Sequence, residues 1–284
     1  MSFSSEIKEK LCSYKLECPK CAAAEIAGIF RTSGRENRAL KFVTESNSAA
    51  QRAADDIYEA FGIKTKISAG AKNKEIIIDD NYKAENIRAV IYGDVVPFEC
   101  CKASYIRGAF LGCGSAADPS RNYHLEFSVR DKAEAEFLKE LITDAGFSAK
   151  ITERKGNYVL YMKGCEDIAD ILGYIGAPMA ALILFEVQVE KEMRNNVNRR
   201  VNCENANTDK MAKAASKHIF AIEKIKEYKK WDKLPEVLRE IGELRIEYPE
   251  DSLKELGEKL EPPIGKSGVN HRLNRILRIS EELI

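Results

Sequence analysis

Three groups of side chains in this 284-residue chain have the types and spacing to do chemistry. The first lies near the end, in Lys266-Ser-Gly-Val-Asn-His-Arg-Leu-Asn-Arg-Ile-Leu-Arg278, and residues 264–280 hold four basic residues and no acid. Cations so placed favour a polyanion, because phosphate contacts release condensed counterions. Asn270, His271 and Arg272 carry groups that bond base edges, with Asn274 beside them. Lys266, Arg275 and Arg278 suit phosphates, and the amides of Ser267 and Gly268 suit a phosphate at a helix start. The second group is Glu190–Asn207, with six Asn and three Arg. Its Arg194, Asn195, Asn198, Arg199, Arg200 and Asn202 fit DNA contacts and, equally, helix caps or an interdomain joint. The third is a set of eight cysteines, at 12, 18, 21, 100, 101, 113, 165 and 203. Cys18-x-x-Cys21 is half of a zinc site; Cys12 and Cys100–Cys101 could complete it, but no second Cys-x-x-Cys exists. Buried reduced thiols are the expectation, with no metal and no cofactor.

The elements that must position the basic stretch are legible around it. Leu234–Ile246 has a helical pattern with Pro235 in its first turn. Ser252–Leu260 predicts a short helix, with Ser252 and Glu255 spaced as a capping box. Glu261-Pro-Pro-Ile-Gly265 is a rigid turn. Lys266–Arg278 is then a second helix with Val269, Leu273, Ile276 and Leu277 as its inner stripe. Short helix, turn and basic helix is helix-turn-helix organisation, in which the second helix enters the major groove. From Thr208 to Trp231 the apolar positions Met211, Ala215, His218, Ile219, Ile222, Ile225 and Tyr228 also recur with helical period.

Composition bounds the rest. Lys+Arg and Asp+Glu balance at 45 each and 44% of residues are hydrophobic, which excludes wholesale disorder. Charge is unevenly layered: residues 191–233 hold 12 basic and 6 acidic residues, and residues 234–263 hold 4 and 9. The longest clean apolar run, Ala177–Phe185, falls short of the ~20 residues of a membrane span. The opening residues MSFSSEIKEKL lack the apolar core of a signal peptide. The expected place is the cytoplasm, with the nucleoid.

The first 180 residues are duplicated. Glu25-Ile-Ala-Gly-Ile-Phe-Arg-Thr-Ser-Gly34 returns as Tyr105-Ile-Arg-Gly-Ala-Phe-Leu-Gly-Cys-Gly114, with Gly28 and Gly34 matching Gly108 and Gly114 at an offset of 80. Each copy continues with an alternating strand (39–45; 123–129) and an amphipathic helix ending at Gly62 or Gly146. A hairpin follows, of strands 63–67 and 75–79 or 147–151 and 158–162, then a closing helix (82–92; 166–176). A glycine inside a helix costs ~1 kcal/mol against alanine. That cost makes sense where two helices press backbone to backbone. The expected fold is α+β, a pseudo-two-fold saddle over residues 1–190 with halves of about 18–97 and 98–185. A basic helical connector (191–233) and an all-α helix-turn-helix domain (234–284) follow.

The segments Ile26–Gly34 and Ile106–Gly114 resemble the two LAGLIDADG motifs of homing endonucleases. In that family the motif's last acid binds the catalytic divalent metal, one from each copy. Here those positions are Ser33 and Cys113, and the sixth positions are Arg31 and Leu111. The resemblance therefore implies a scaffold without its metal site. Asp118, after the second motif, cannot rebuild a pair of carboxylates.

The run from Ser252 to Leu273, the Val189–Asn207 segment, the segment YIRGAFLGCGSAADPSRNYHLEF and the opening Ser2-Phe-Ser-Ser-Glu-Ile-Lys8 are together similar to the WhiA family, over essentially the whole chain. Cys18-Pro-Lys-Cys21 and Cys113 depart mildly from its common members. The resemblance implies a bacterial DNA-binding transcription regulator, linked to cell division and chromosome segregation and, in actinobacteria, to sporulation. The expected partner is double-stranded DNA at promoter or chromosomal sites, with transcription or cell-division proteins as further partners and no membrane. Two other readings stay open: an active metal-dependent LAGLIDADG endonuclease, and a protein-interaction scaffold with weak DNA affinity. Oligomeric state is open.

Overall fold

The computed structural model describes residues 2–36, 39–70 and 73–283. It divides into two compact units, Met1–Lys191 and Glu192–Ile284. The first opens with α1 (Phe3–Cys12), whose start is fixed by a capping box of Ser2 and Ser5. Two copies of one motif follow. The first comprises α2 (Cys21–Ser33), β1 (Arg35–Glu36), β2 (Leu40–Thr44), α3 (Asn47–Phe61), β3 (Ile67–Ala69), β4 (Lys74–Ile78) and α4 (Asn81–Ile91). The second comprises α5 (Glu99–Cys113), β5 (Gly114–Ala116), β6 (Leu125–Val129), α6 (Lys132–Asp144), β7 (Lys150–Arg154), β8 (Asn157–Met162) and α7 (Cys165–Tyr174). Both sheets are antiparallel and have one order, β1-β2-β4-β3 and β5-β6-β8-β7. Leu40 and Phe42 face Ile78 and Ile76 in register, as Leu125 and Phe127 face Met162 and Leu160. These residues are buried, while their neighbours Lys41, Glu75, Glu126 and Tyr161 stay partly accessible. This is the period-2 alternation of a half-buried sheet.

The helix pair α2–α5 holds the two copies together. A Cβ built on Gly28 would lie 2.1 Å from the Tyr105 carbonyl oxygen, and one on Gly108 would lie 2.0 Å from that of Glu25. Glu25 and Tyr105 are themselves equivalent at the offset of 80, so each glycine receives the other helix's matching carbonyl. Around this contact lies a buried ionic network. Glu25, fully buried, accepts from Arg52 Nε and Nη2 (2.8 and 3.1 Å) and from Arg107 Nε (2.8 Å). Arg107 also donates to the Ile175 carbonyl and Ser104 Oγ, and Arg52 to Asp56. Buried charge is tolerable here because each guanidinium meets carboxylate and further acceptors.

Three details differ from the sequence reading. A strand of two or three residues, β1 or β5, follows each glycine helix; such stubs carry no periodic signal. The first hairpin strands sit later than predicted, at 67–69 and 150–154. In the second copy the cause is a two-residue turn, Lys155–Gly156, with φ of 53° and 77°. It pairs Arg154 with Asn157 and carries the ladder up to the turn. The cysteines, moreover, are not uniformly buried: Cys21, Cys101 and Cys165 are, Cys203 is exposed, and the others are intermediate.

α8 (Pro178–Glu227) runs for 50 residues without Gly or Pro after its first position, and the division between the units falls within it. A one-turn 3-10 helix (Trp231–Lys233), α9 (Glu236–Glu247), α10 (Leu253–Glu258) and α11 (Lys266–Glu281) complete the second unit. Its core joins Ile222, Ile225 and Trp231 to Leu238, Ile241, Leu256, Val269, Leu273 and Ile276. Residues 221–231, assigned to the connector by sequence, thus pack within this unit. Among the described residues no helix is long and apolar enough to cross a membrane.

Candidate nucleic-acid interface

α10 begins with the expected reciprocal cap: Ser252 Oγ accepts from the Glu255 amide and Glu255 Oε2 from the Ser252 amide. The turn to α11 closes when the Ile264 amide donates to the Gly257 carbonyl at 3.0 Å. A Cβ on Gly257 would lie 2.2 Å from the Ile264 carbonyl oxygen, so this turn demands glycine. Arg245, at the end of α9, donates from Nη1 to the carbonyl of Asp251 at 2.8 Å and to that of Pro249 at 3.2 Å, fixing the approach to α10. Val269, Leu273, Ile276 and Ser280 form the inner face of α11, and Leu277 is half-buried beside them.

The outer face follows from ~100° per residue. His271 is central; Ser267, Asn274, Arg275 and Arg278 lie within about 60° of it. Asn270 and Arg272 fall about 100° to either side, so the three consecutive residues expected at base edges fan across the helix. Lys266, Ser267, Asn270, His271, Arg275 and Arg278 are exposed; Gly268, Arg272 and Asn274 are intermediate. Lys266, Arg272, Arg275 and Arg278 form no ion pair among the described residues. Cations of the preceding helices do pair: Lys254 with Glu258 and Lys259 with Asp251, both at 3.6 Å. The start of α11 has Gly265 as its cap residue and no side-chain cap. Of the two amides expected to greet a phosphate, that of Gly268 already donates to the Gly265 carbonyl at 2.9 Å.

Arg194, Asn195, Asn198, Arg199, Arg200 and Asn202 all lie on the exposed stretch 192–214 of α8. The helix runs through them, so these asparagines cap nothing.

Sequence reasoning missed a cleft of about 460 Å³ in the second unit, lined in part by Lys210, Lys217, His218, Arg245, Lys266 and Asn270. His218 is 5% exposed and its Nδ1 has no hydrogen-bond partner. Burial, reinforced by the Arg245 charge, lowers its pKa to about 4. Its place in the apolar period of 208–231 was the signal that it points inward.

In the first unit, Ser33 and Cys113 stand at the carboxyl-terminal ends of α2 and α5. Ser33 Oγ donates to the Ile29 carbonyl at 2.7 Å. Burial pushes the Cys113 thiol up to about 11. Lys8 of α1 reaches over this end and donates to the Leu111 carbonyl at 3.2 Å. Arg31 is spent on Glu134 (2.6 Å) and the Phe137 ring, and Asp118 is exposed in a local turn with Ser120. Two thiol or hydroxyl positions and an ammonium do not make a hard-cation site. At the opposite, amino-terminal ends of these helices, Cys18, Cys21, Cys100 and Cys101 converge, with their sulfurs all within 4.8 Å of one another.

Comparison with known proteins adds two matching family models. Residues 102–194 match the WhiA LAGLIDADG-like domain and residues 197–280 the WhiA C-terminal HTH domain. A protein of Clostridium botulinum (strain Eklund 17B / Type B), named probable cell division protein WhiA, is 38% identical over 311 residues, covering 100% of this chain and 99% of that protein. One of Clostridium novyi (strain NT) with the same name is 39% identical over 312 residues, covering 100% and 98%. Among solved structures, full-length DUF199/WhiA from Thermatoga maritima is similar with a TM-score of 0.64 and 27% identity, over 99% of this chain and 98% of that one. The isolated N-terminal LAGLIDADG domain of DUF199/WhiA shares the fold over 62% of this chain and 92% of its own (TM-score 0.53, 23% identity).

Proposed function

The chain belongs to the WhiA family, and from that premise we propose that it is a non-enzymatic DNA-binding transcription regulator acting in cell division and chromosome segregation. The observation that carries the DNA reading is the outer face of α11. It holds cations with no acidic partner among the described residues, on a helix whose inner face is locked into a core. In this reading α11 lies in a major groove with His271 at the floor and Asn270 and Arg272 at its edges, making base or near-base contacts. Lys266, Arg275 and Arg278 hold phosphates, joined by the Ser267 amide, and Ser267, Gly268 and Asn274 line the approach. The exposed Arg194–Asn202 stretch of α8 adds backbone contacts. Residues 234–284 form the reader, residues 191–233 the connector, whose last helical turns pack into the reader's core, and residues 1–190 a scaffold that has left nuclease chemistry.

The loss of nuclease chemistry rests on Ser33, Cys113 and Lys8. Phosphodiester cleavage by divalent metals needs clustered oxygen ligands to hold the ions and activate water. This end of the helix pair offers an ammonium instead. The promoter or chromosomal DNA expected as partner, the nucleoid location and any division protein as a further partner all rest on this reading.

A mobility-shift titration with full-length protein tests it. Arg272→Ala costs about 1–3 kcal/mol on the specific site and relaxes choice at one base pair if Arg272 reads a base. A variant that keeps both the parent's affinity for the specific site and the parent's discrimination against altered sites contradicts the assignment.

A further inference from the structure

The sequence offers Cys18-Pro-Lys-Cys21 without a second Cys-x-x-Cys, and taken alone it predicts no metal. The fold supplies the missing half. Cys21 is the first residue of α2, Cys18 stands three residues before it, and Cys100 and Cys101 lie in the first turn of α5. The backbone contact at Gly28 and Gly108 brings the two helix starts together. Cys21 precedes Gly28 by seven residues, as Cys101 precedes Gly108, so these two cysteines are equivalent positions of the duplication.

We propose that Cys18, Cys21, Cys100 and Cys101 bind one zinc ion as a tetrahedral tetrathiolate that clamps the amino-terminal ends of α2 and α5. Zn–S bonds of about 2.3 Å place neighbouring sulfurs of a tetrahedron about 3.8 Å apart. Cys18 Sγ lies 3.5 Å from that of Cys21 and 3.7 Å from that of Cys101, and all four sulfurs lie within 4.8 Å. Disulfides need ~2.0 Å, and all four cysteines are free thiols. A multi-iron cluster spreads its thiolates over several metal atoms; four sulfurs this close suit a single ion. Cys21 and Cys101 are fully buried and Cys18 and Cys100 half-buried. That enclosure is typical of a structural site with no open position for substrate.

Electrostatics agrees with the geometry. Binding converts four thiols into thiolates, releases four protons to solvent and leaves a complex of net charge −2. The positive ends of two helix dipoles meet at this point and favour that charge. One pair of ligands comes from each copy of the duplication, so the ion cross-links segments about 80 residues apart. It sits at the end of the helix pair remote from Ser33 and Cys113, so it is not a remnant of the nuclease centre.

The test uses the full-length chain, metal-stripped under reducing conditions and titrated with Co²⁺ and then Zn²⁺. Expected are the visible bands of tetrahedral cobalt and a thiolate charge-transfer band, saturating at one equivalent and abolished by one equivalent of zinc. Cys18→Ser weakens binding at least about tenfold, whereas Cys203→Ser, at an exposed position of the second unit, leaves it unchanged. Should Cys18→Ser fail to fold, the parent protein decides alone. Alkylation followed by peptide mapping finds the half-buried Cys18 and Cys100 less modified with zinc than without it, and the exposed Cys203 modified equally in both. Octahedral cobalt spectra, stoichiometric iron in place of zinc, or equal alkylation of Cys18 and Cys100 with and without zinc overturns the proposal.

Discussion

Replacing Arg275 and Arg278 by alanine removes two exposed guanidiniums that form no ion pair among the described residues, so the fold of the second unit stays intact. If each holds one phosphate, the slope of log K against log salt flattens by about 0.9 per residue, or about 1.8 for the pair. Between 50 and 200 mM salt one contact is worth roughly a 3–4-fold change in affinity, so the double variant loses about tenfold less over that range than the parent. The loss is the same on specific and unrelated duplexes, because phosphates carry no sequence. Fluorescence anisotropy of labelled duplexes at four or five salt concentrations measures the slope directly. An unchanged slope, or a defect confined to one sequence, refutes the placement of these residues on the DNA backbone.

Further outcomes concern the scaffold that carries this helix. Gly28→Ala drives a methyl group into the Tyr105 carbonyl, where 2.1 Å is available; the helices must part, and denaturation should show a loss of about 3 kcal/mol, the upper end of the range for overpacking. Parent-like stability would mean that the helix contact is not tight. Glu25→Gln leaves Arg107 buried without its carboxylate and should cost about 3–5 kcal/mol in the same assay. The buried His218 gives the second unit a pH dependence. Its folded pKa of about 4 lies below the ordinary 6.5, so the unfolded chain binds the extra proton and stability falls as pH drops from 6.5 towards 4. Between pH 7 and 5 the loss should be about 1–2 kcal/mol, allowing for partial solvent access. The single Trp, Trp231, lies in the core of the second unit and reports its unfolding; His218→Phe should flatten the dependence, and an equal pH slope in that variant removes His218 as its cause.

Much of the architecture was readable because duplication repeats its own evidence. Gly28 and Gly108 mark a close helix contact in the sequence itself, and the structure places a backbone carbonyl against each. Ser252 and Glu255 specified a helix start, and Val269, Leu273 and Ile276 an inner face, from spacing alone. What escaped the sequence depends on distances between remote segments. Short strands such as β1 and β5 have no period to detect. His218 looked like one more apolar position, and only the fold shows that it faces Arg245 across a cleft. The cysteines are the clearest case. Cys21 and Cys101 were visible as residues 80 apart in an 80-residue repeat, yet their meeting requires both helix starts to be side by side. The asparagine-rich run was ambiguous between cap and contact; with no Gly or Pro to stop it, α8 passes straight through, and the capping role disappears.

The most direct measurement of whether α11 chooses the DNA is selection of bound duplexes from a random pool. Full-length parent and the His271→Ala/Arg272→Ala variant would be compared at one salt concentration. The expected result is a defined motif enriched by the parent and lost by the variant, which keeps weak, sequence-independent binding. The same motif enriched by both proteins would contradict the assignment and move target choice elsewhere in the chain.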